Sequence, residues 1–177
     1  MKTRLLVSLF AMSVTAGAQG AHGIYRQACG LNNVKFHVKM VNGQPPAAPE
    51  AGKALVYFVQ KKYGAGLLAR IGLDGTWVGA LKGNSYIALS IAPGEHRACA
   101  SLQYPRASRE DGEFLRIAVE AGKVYYYQVR NVETAAPVDG GVDTVEFAPA
   151  EVDEALFQIA ADPQSVARPE PPTRTKQ

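Results

Sequence analysis

Leu73-Asp74-Gly75-Thr76-Trp77-Val78-Gly79, followed by Gly83-Asn84-Ser85-Tyr86 and Pro93-Gly94-Glu95-His96, is the stretch that decides the fold. Each segment holds a turn signal beside a short apolar run. Asp74-Gly75 is a two-residue hairpin signal, because both central positions of such a turn need positive φ. Gly83-Asn84 and Pro93-Gly94 punctuate the chain again at strand-length intervals. Between them Ile87, Leu89 and Ile91 fall on one face of an extended chain, and Ala98, Ala100 and Leu102 on one face of the next. The spacing predicts a meander of paired strands, with Gly83-Asn84 as a second turn and Pro93-Gly94 turning the chain back.

The same grammar extends outward. Val34–Met40 alternates apolar and polar residues, as a half-buried strand does. Asn42–Gly52 carries Pro45, Pro46 and Pro49 and reads as a connector without sheet hydrogen bonds. Leu55-Val56-Tyr57-Phe58-Val59 is continuously apolar, the mark of a central strand covered on both faces. Leu115, Ile117 and Val119 share one face, Ala121-Gly122 makes a turn, and Tyr125, Tyr127 and Val129 share a face with Tyr126 opposed. Lys61–Gly66, Tyr104–Gly112 and Ala135–Gly141 read as loops, and Thr144–Phe147 as a short strand. Val152, Ala155, Leu156 and Ile159 recur at helical spacing behind acids that suit a helix N-terminus, and Asp162-Pro163 stops that helix. About eight strands and one short C-terminal helix predict a mainly β chain, an antiparallel β-sandwich of the transthyretin or immunoglobulin kind. A small barrel is the alternative.

The ends of the chain bear on location. Lys2 and Arg4 precede an apolar Leu5–Val14 and then Ala16-Gly17-Ala18. Residues 1–18 therefore read as a secretory signal peptide, too short in its apolar part to span a bilayer. Residues 19–33 read as a flexible lead-in, residues 34–161 as the single sandwich domain, and residues 162–177 as a disordered Pro-rich, basic tail. The chain has 19 basic and 16 acidic residues, a formal charge of +3. Without Lys2 and Arg4 that is 17 against 16, or +1, with no basic stripe to meet nucleic acid. Cys29 and Cys99 are the two cysteines. In an exported chain an even count reads as one disulfide, stapling the N-terminal segment to the sheet.

Taken in order, Gly52-Lys53-Ala54-Leu55-Val56-Tyr57, Leu73-Asp74-Gly75-x-Trp77-Val78-Gly79, Gly83-Asn84-Ser85-Tyr86, Pro93-Gly94-Glu95-His96 and Ala121-Gly122-Lys123-x-Tyr125-Tyr126 resemble the bacterial domain-of-unknown-function family 2846. The resemblance runs from about Gly52 to Ala160. It implies exported proteins with a sandwich akin to transthyretin or to PEGA-type surface modules, and it implies no activity. Some relatives look like lipoproteins. This chain departs from them in having no cysteine directly after the leader's apolar stretch.

Chemistry-bearing patterns are sparse. His22, His37 and His96 share no metal-ligand spacing with one another, with cysteine or with acids. The serines lack a nucleophile-elbow context. Asp74 and Asp111 each precede glycine, which turn formation explains. Asp143, Glu146, Glu151, Asp153 and Glu154 lack the loop pattern of a Ca²⁺ site. No catalytic residue, metal or other cofactor is expected. The aromatics carry more, and Trp77, Tyr86 and Tyr126 are candidates for a surface that stacks on sugar rings or packs on a partner, against ordinary cross-strand packing. The expected function is a non-catalytic structural or protein-interaction module of the cell envelope, periplasmic or secreted. The alternative is a module binding cell-wall glycan. A hydrolase with its site in the Tyr104–Gly112 loop is the third reading, and it needs His96 within hydrogen-bond reach of a serine or an acid.

Overall fold

The computed structural model describes residues 27–31, 34–61, 68–103, 112–134 and 142–170, with backbone alone for 131–134 and 142–144. The expected leader, most of the Tyr104–Gly112 loop and the whole Ala135–Gly141 loop lie outside the described residues. Among the described residues ten strands form two sheets. In chain order they are β1 (Phe36–Val41), β2 (Ala54–Lys61), β3 (Leu68–Leu73), β4 (Thr76–Lys82), β5 (Ser85–Ile91), β6 (Gly94–Gln103), β7 (Glu113–Val119), β8 (Val124–Thr134), β9 (Val142–Pro149) and β10 (Gln164–Pro169). The helix α1 (Val152–Ala161) stands between β9 and β10. The six-stranded sheet has the order β1-β10-β5-β2-β8-β9, and the four-stranded sheet β4-β3-β6-β7. The molecule is the expected mainly β sandwich with a short C-terminal helix, not a closed barrel.

Strand faces follow the sequence. Val56 and Phe58 on β2 meet Tyr127 and Val129 on β8, and these pack against Ile71, Ala98, Ala100, Leu102, Ile117 and Val119 of the other sheet. Phe58, Tyr127 and Phe147 knit that core with ring centroids 5.9, 5.8 and 6.0 Å apart. Leu55, Tyr57 and Val59 point the other way, under Ala155 and Ile159 of α1. Strand β2 is thus covered on both faces, as its continuous apolar run requires.

Three expectations need correction. Of the four turn signals, Asp74-Gly75 alone joins neighbours within one sheet. Gly83-Asn84, Pro93-Gly94 and Ala121-Gly122 each carry the chain from one sheet to the other, because a turn residue sets local direction and not the identity of the neighbour. Strand β2 then pairs β8 in parallel, with Tyr57 opposite Tyr126. The tail expected to be disordered from residue 162 instead forms β10 over Gln164–Pro169, paired along its length with β1. Pairing satisfies its backbone groups, and Ser165 bonds Ser85 across 2.8 Å. The lead-in expected to be flexible includes a buried strap, in which Ala28 is 2% and Cys29 0% exposed. The Cys29–Cys99 disulfide ties that strap to β6.

Candidate functional site

At the end of the four-stranded sheet where the β3–β4 hairpin meets the start of β6, several polar side chains interact. The group starts from the hairpin, where Asp74 has φ +50° and Gly75 φ +80°. Aspartate tolerates this left-handed backbone and keeps a carboxylate at the tip. That carboxylate is used twice. Asp74 Oδ1 accepts the Arg97 backbone N–H at 2.8 Å, and Oδ2 lies 2.6 Å from His96 Nδ1. The Asp74 N–H in turn donates to Arg97 O at 2.9 Å. The other ring nitrogen, His96 Nε2, lies 2.8 Å from Ala92 O.

Both partners of the imidazole are acceptors, so both ring nitrogens must donate, and the bonded form is the imidazolium. Burial by itself would lower the His96 pKa. The Asp74 hydrogen bond, the Ala92 carbonyl and the Asp74 charge outweigh it, and the pKa is raised. For Asp74, burial raises and the Arg97 N–H and His96 lower, with a net lowering. The contribution of His96 is fully present below its ordinary value of about 6.5 and is lost as pH climbs through the raised value. That of Asp74 is present above its ordinary value of about 3.9 and is lost as pH falls through the lowered one. The pair is therefore strongest between roughly pH 4 and pH 6.5. Asp74→Asn, which keeps the turn, is expected to cost about 1 kcal/mol at pH 5.5, a charge-assisted bond discounted for the exposed carboxylate. The deficit should shrink clearly by pH 9. Thermal melts at the two pH values check this, and an equal deficit at both would refute the assignment.

The dyad gives the contact that the hydrolase reading asked for, His96 within hydrogen-bond reach of an acid. It does not have the disposition of a general base. Nε2, the nitrogen that would face a nucleophile, is occupied by a main-chain carbonyl. The geometry instead clamps the hairpin tip to the β5–β6 corner. Among the described residues no three His, Cys, Asp or Glu side chains gather to hold a metal.

Beside the clamp, Arg97 of β6 and Arg116 of β7 stand directly opposite each other in the antiparallel register. They line two adjoining hollows. The larger, about 310 Å³, is walled by Gln27 and Ala28 of the strap and by Ala98, Phe114 and Leu115. The smaller, about 180 Å³, adds Glu95 and His96. Sequence reading did not single out Arg97 or Arg116 as site residues. They stand nineteen positions apart in sequence, so only the register brings them together.

The three aromatic candidates do not share a surface. Trp77 is half-buried on β4, donates its indole N–H to Leu31 O at 2.6 Å, and is covered by the Arg70 guanidinium 4.3 Å from its ring centroid. Tyr86 is 1% exposed, which corrects its reading as a surface residue. It lies with Tyr126 on the far face of the other sheet. There Tyr126 stacks on Tyr57 at 5.5 Å. Burial, then the neighbouring Tyr126 and Tyr86, push the Tyr57 phenol up to about 12. These rings are packing, as cross-strand aromatics ordinarily are.

A family model described as Protein of unknown function (DUF2846) matches residues 50–142, more than half of the chain. The chain belongs to this family. No curated protein and no solved structure matches it. The part matched to DUF2846 carries β2 to β8, and so Asp74, His96, Arg97, Arg116 and Cys99. The strap with Cys29, β1, α1, β10 and nearly all of β9 lie outside that match.

Proposed function

We propose that this DUF2846 chain is an exported, non-catalytic module of the bacterial envelope that binds a partner protein. The observation that carries the reading is the apolar surface of α1. The helix buries Ala155, Gln158 and Ile159 against the six-stranded sheet. It leaves Val152 52%, Leu156 47% and Phe157 75% exposed. Val152 and Leu156 recur at the same helical spacing as the buried Ala155 and Ile159, which by itself would put all four on one covered face. Instead the helix is rotated so that its larger apolar side chains meet solvent. Large apolar groups clustered on one element mark interaction surfaces more often than chance exposure. The scaffold beneath is suited to presenting them, being a sandwich fastened by a buried disulfide. That disulfide and the leader-like N-terminus support export. Among the described residues no helix is long and apolar enough to cross a membrane.

Leu156→Ser with Phe157→Ser is expected to change the melting temperature by no more than about 2 °C, since both side chains are exposed. A photocrosslinker in place of Phe157 should give a discrete adduct in the source cells, lost when Leu156 is changed to serine. One in place of Lys123 should give none. No adduct at position 157, or one insensitive to Leu156, sinks the reading. The glycan alternative has its own arm, retention of the protein on insoluble peptidoglycan and its loss in Trp77→Ala. The separation of Trp77 from Tyr86 and Tyr126 weighs against that outcome.

A further inference from the structure

We propose that the hollow between β6, β7 and the strap is a binding site for a small organic anion, a carboxylate or phosphate head gripped by Arg97 and Arg116 with an apolar body against Phe114 and Ala28. The site is distinct from the α1 surface, which lies on the opposite sheet, and does not depend on that reading.

Four observations converge. First, like charges directly opposite in an antiparallel pair are destabilising, and Arg97 faces Arg116 in that position. Local violations of this kind concentrate at functional sites. Second, neither arginine has an ion-pair partner among the described residues. The Arg97 guanidinium donates to Gln27 Oε1, and a carboxamide leaves its charge in place. Third, both side chains border the same concavity, about 310 Å³, a volume suited to a small molecule. Fourth, the wall is amphipathic. Phe114, 37% exposed, stands two residues from Arg116 on the same face of β7 and gives the guanidinium pair an apolar neighbour, with Ala28 of the strap across the hollow. Two guanidinium forks match the planar or tetrahedral oxygens of a carboxylate or phosphate.

The strap completes the enclosure. Gln27 and Ala28 form one side, and the disulfide at Cys29 holds them there. Glu95 borders the smaller hollow without lying within ion-pair distance of either arginine. It disfavours an anion from the side and so limits affinity.

The test is titration of the oxidised protein with phenyl phosphate, phenylacetate and inorganic phosphate, followed by backbone amide chemical shifts. Phenyl phosphate and phenylacetate are expected to bind saturably, with shifts on β6, β7 and the strap, and to bind more tightly than inorganic phosphate. Whichever of the two binds tighter tells phosphate from carboxylate. Arg116→Gln should weaken binding about tenfold or more, the loss of charge-assisted bonds. Glu95→Gln should strengthen it. Lys39→Gln, on the other sheet, should leave it unchanged. Without ligand, Arg116→Gln should melt no lower than the parent, because a like-charge pair has been relieved. A merely structural arginine would lower it. Arg97→Gln serves as the second variant. Absence of saturable binding by both aromatic probes, or an Arg116→Gln effect no larger than that of Lys39→Gln, overturns the site.

Discussion

Replacing Cys29 and Cys99 together with alanine is expected to destabilise the protein by about 4 kcal/mol, with the full effect appearing in urea titration of the oxidised parent against the variant. The two cysteines lie 70 residues apart in sequence, and a loop of that length removes about 4 kcal/mol of chain entropy from the unfolded state. A domain of this size should lose roughly 8 to 16 °C in melting temperature. Local contacts push in the same direction. Both cysteines are 0% exposed. The strap they hold accepts the Gly75 N–H at Ala28 O, 3.2 Å away, and the Trp77 indole at Leu31 O. Freed of the bond, the strap must find its place by these contacts alone. Reduction of the parent should bring it to the same midpoint as the variant. A loss under about 1 kcal/mol would mean that the strap docks without the covalent tie, and that the bond's role lies elsewhere.

The strands were legible because each face is marked by alternation that burial then reads out. Ile87, Leu89 and Ile91, or Ala98, Ala100 and Leu102, need no knowledge of the rest of the fold. The Cys29–Cys99 pairing was legible for an arithmetic reason, since two cysteines leave one choice. Sheet membership was not legible. Gly83-Asn84 and Asp74-Gly75 look alike in sequence, yet one crosses between sheets and the other joins neighbours. That difference is settled by what the whole apolar face can pack against, a long-range matter. Strand β10 was hidden for a related reason. Ser165-Val166-Ala167 is too short and polar to announce a strand, and its order comes from the register with β1. The helix was found but its rotation was not. Ala155 and Ile159 fit beneath the tyrosines of β2, β5 and β8, while the bulkier Leu156 and Phe157 face out. At the site, Asp74 was read as a turn former, which it is. Its bonds to His96 and to the Arg97 backbone needed the β3–β6 pairing, as the Arg97–Arg116 pair needed that of β6 with β7.

Gly72→Ala is the substitution that best tests how strap and sheet depend on each other. Gly72 does not adopt a left-handed backbone, so alanine meets no conformational penalty, and a compatible exchange of this kind ordinarily stabilises by about 0.4 to 1 kcal/mol. Here the sign reverses. A Cβ at Gly72 would lie 2.5 Å from Cys29 Cα and 2.9 Å from both Ala28 O and Cys29 O. All three are main-chain atoms, so no side chain can swing aside. Nor can the strap retreat freely, because Cys29 is bonded to Cys99, the residue opposite Gly72 in the β3–β6 register. The expected cost is about 3 kcal/mol, at the upper end for overpacking. The same change should cost less than half as much when Cys29 and Cys99 are both alanine, since the untied strap can lift away. A double-mutant cycle by urea titration therefore predicts a coupling of at least about 1 kcal/mol between the glycine and the disulfide. The anion site gives a second readout. Gly72→Ala should disturb the Gln27–Ala28 wall and weaken phenyl phosphate, while the adduct formed from position 157 on the opposite face persists. Strict additivity of Gly72→Ala with loss of the disulfide would show that the close approach of Cys29 to Gly72 does not limit the packing of this face.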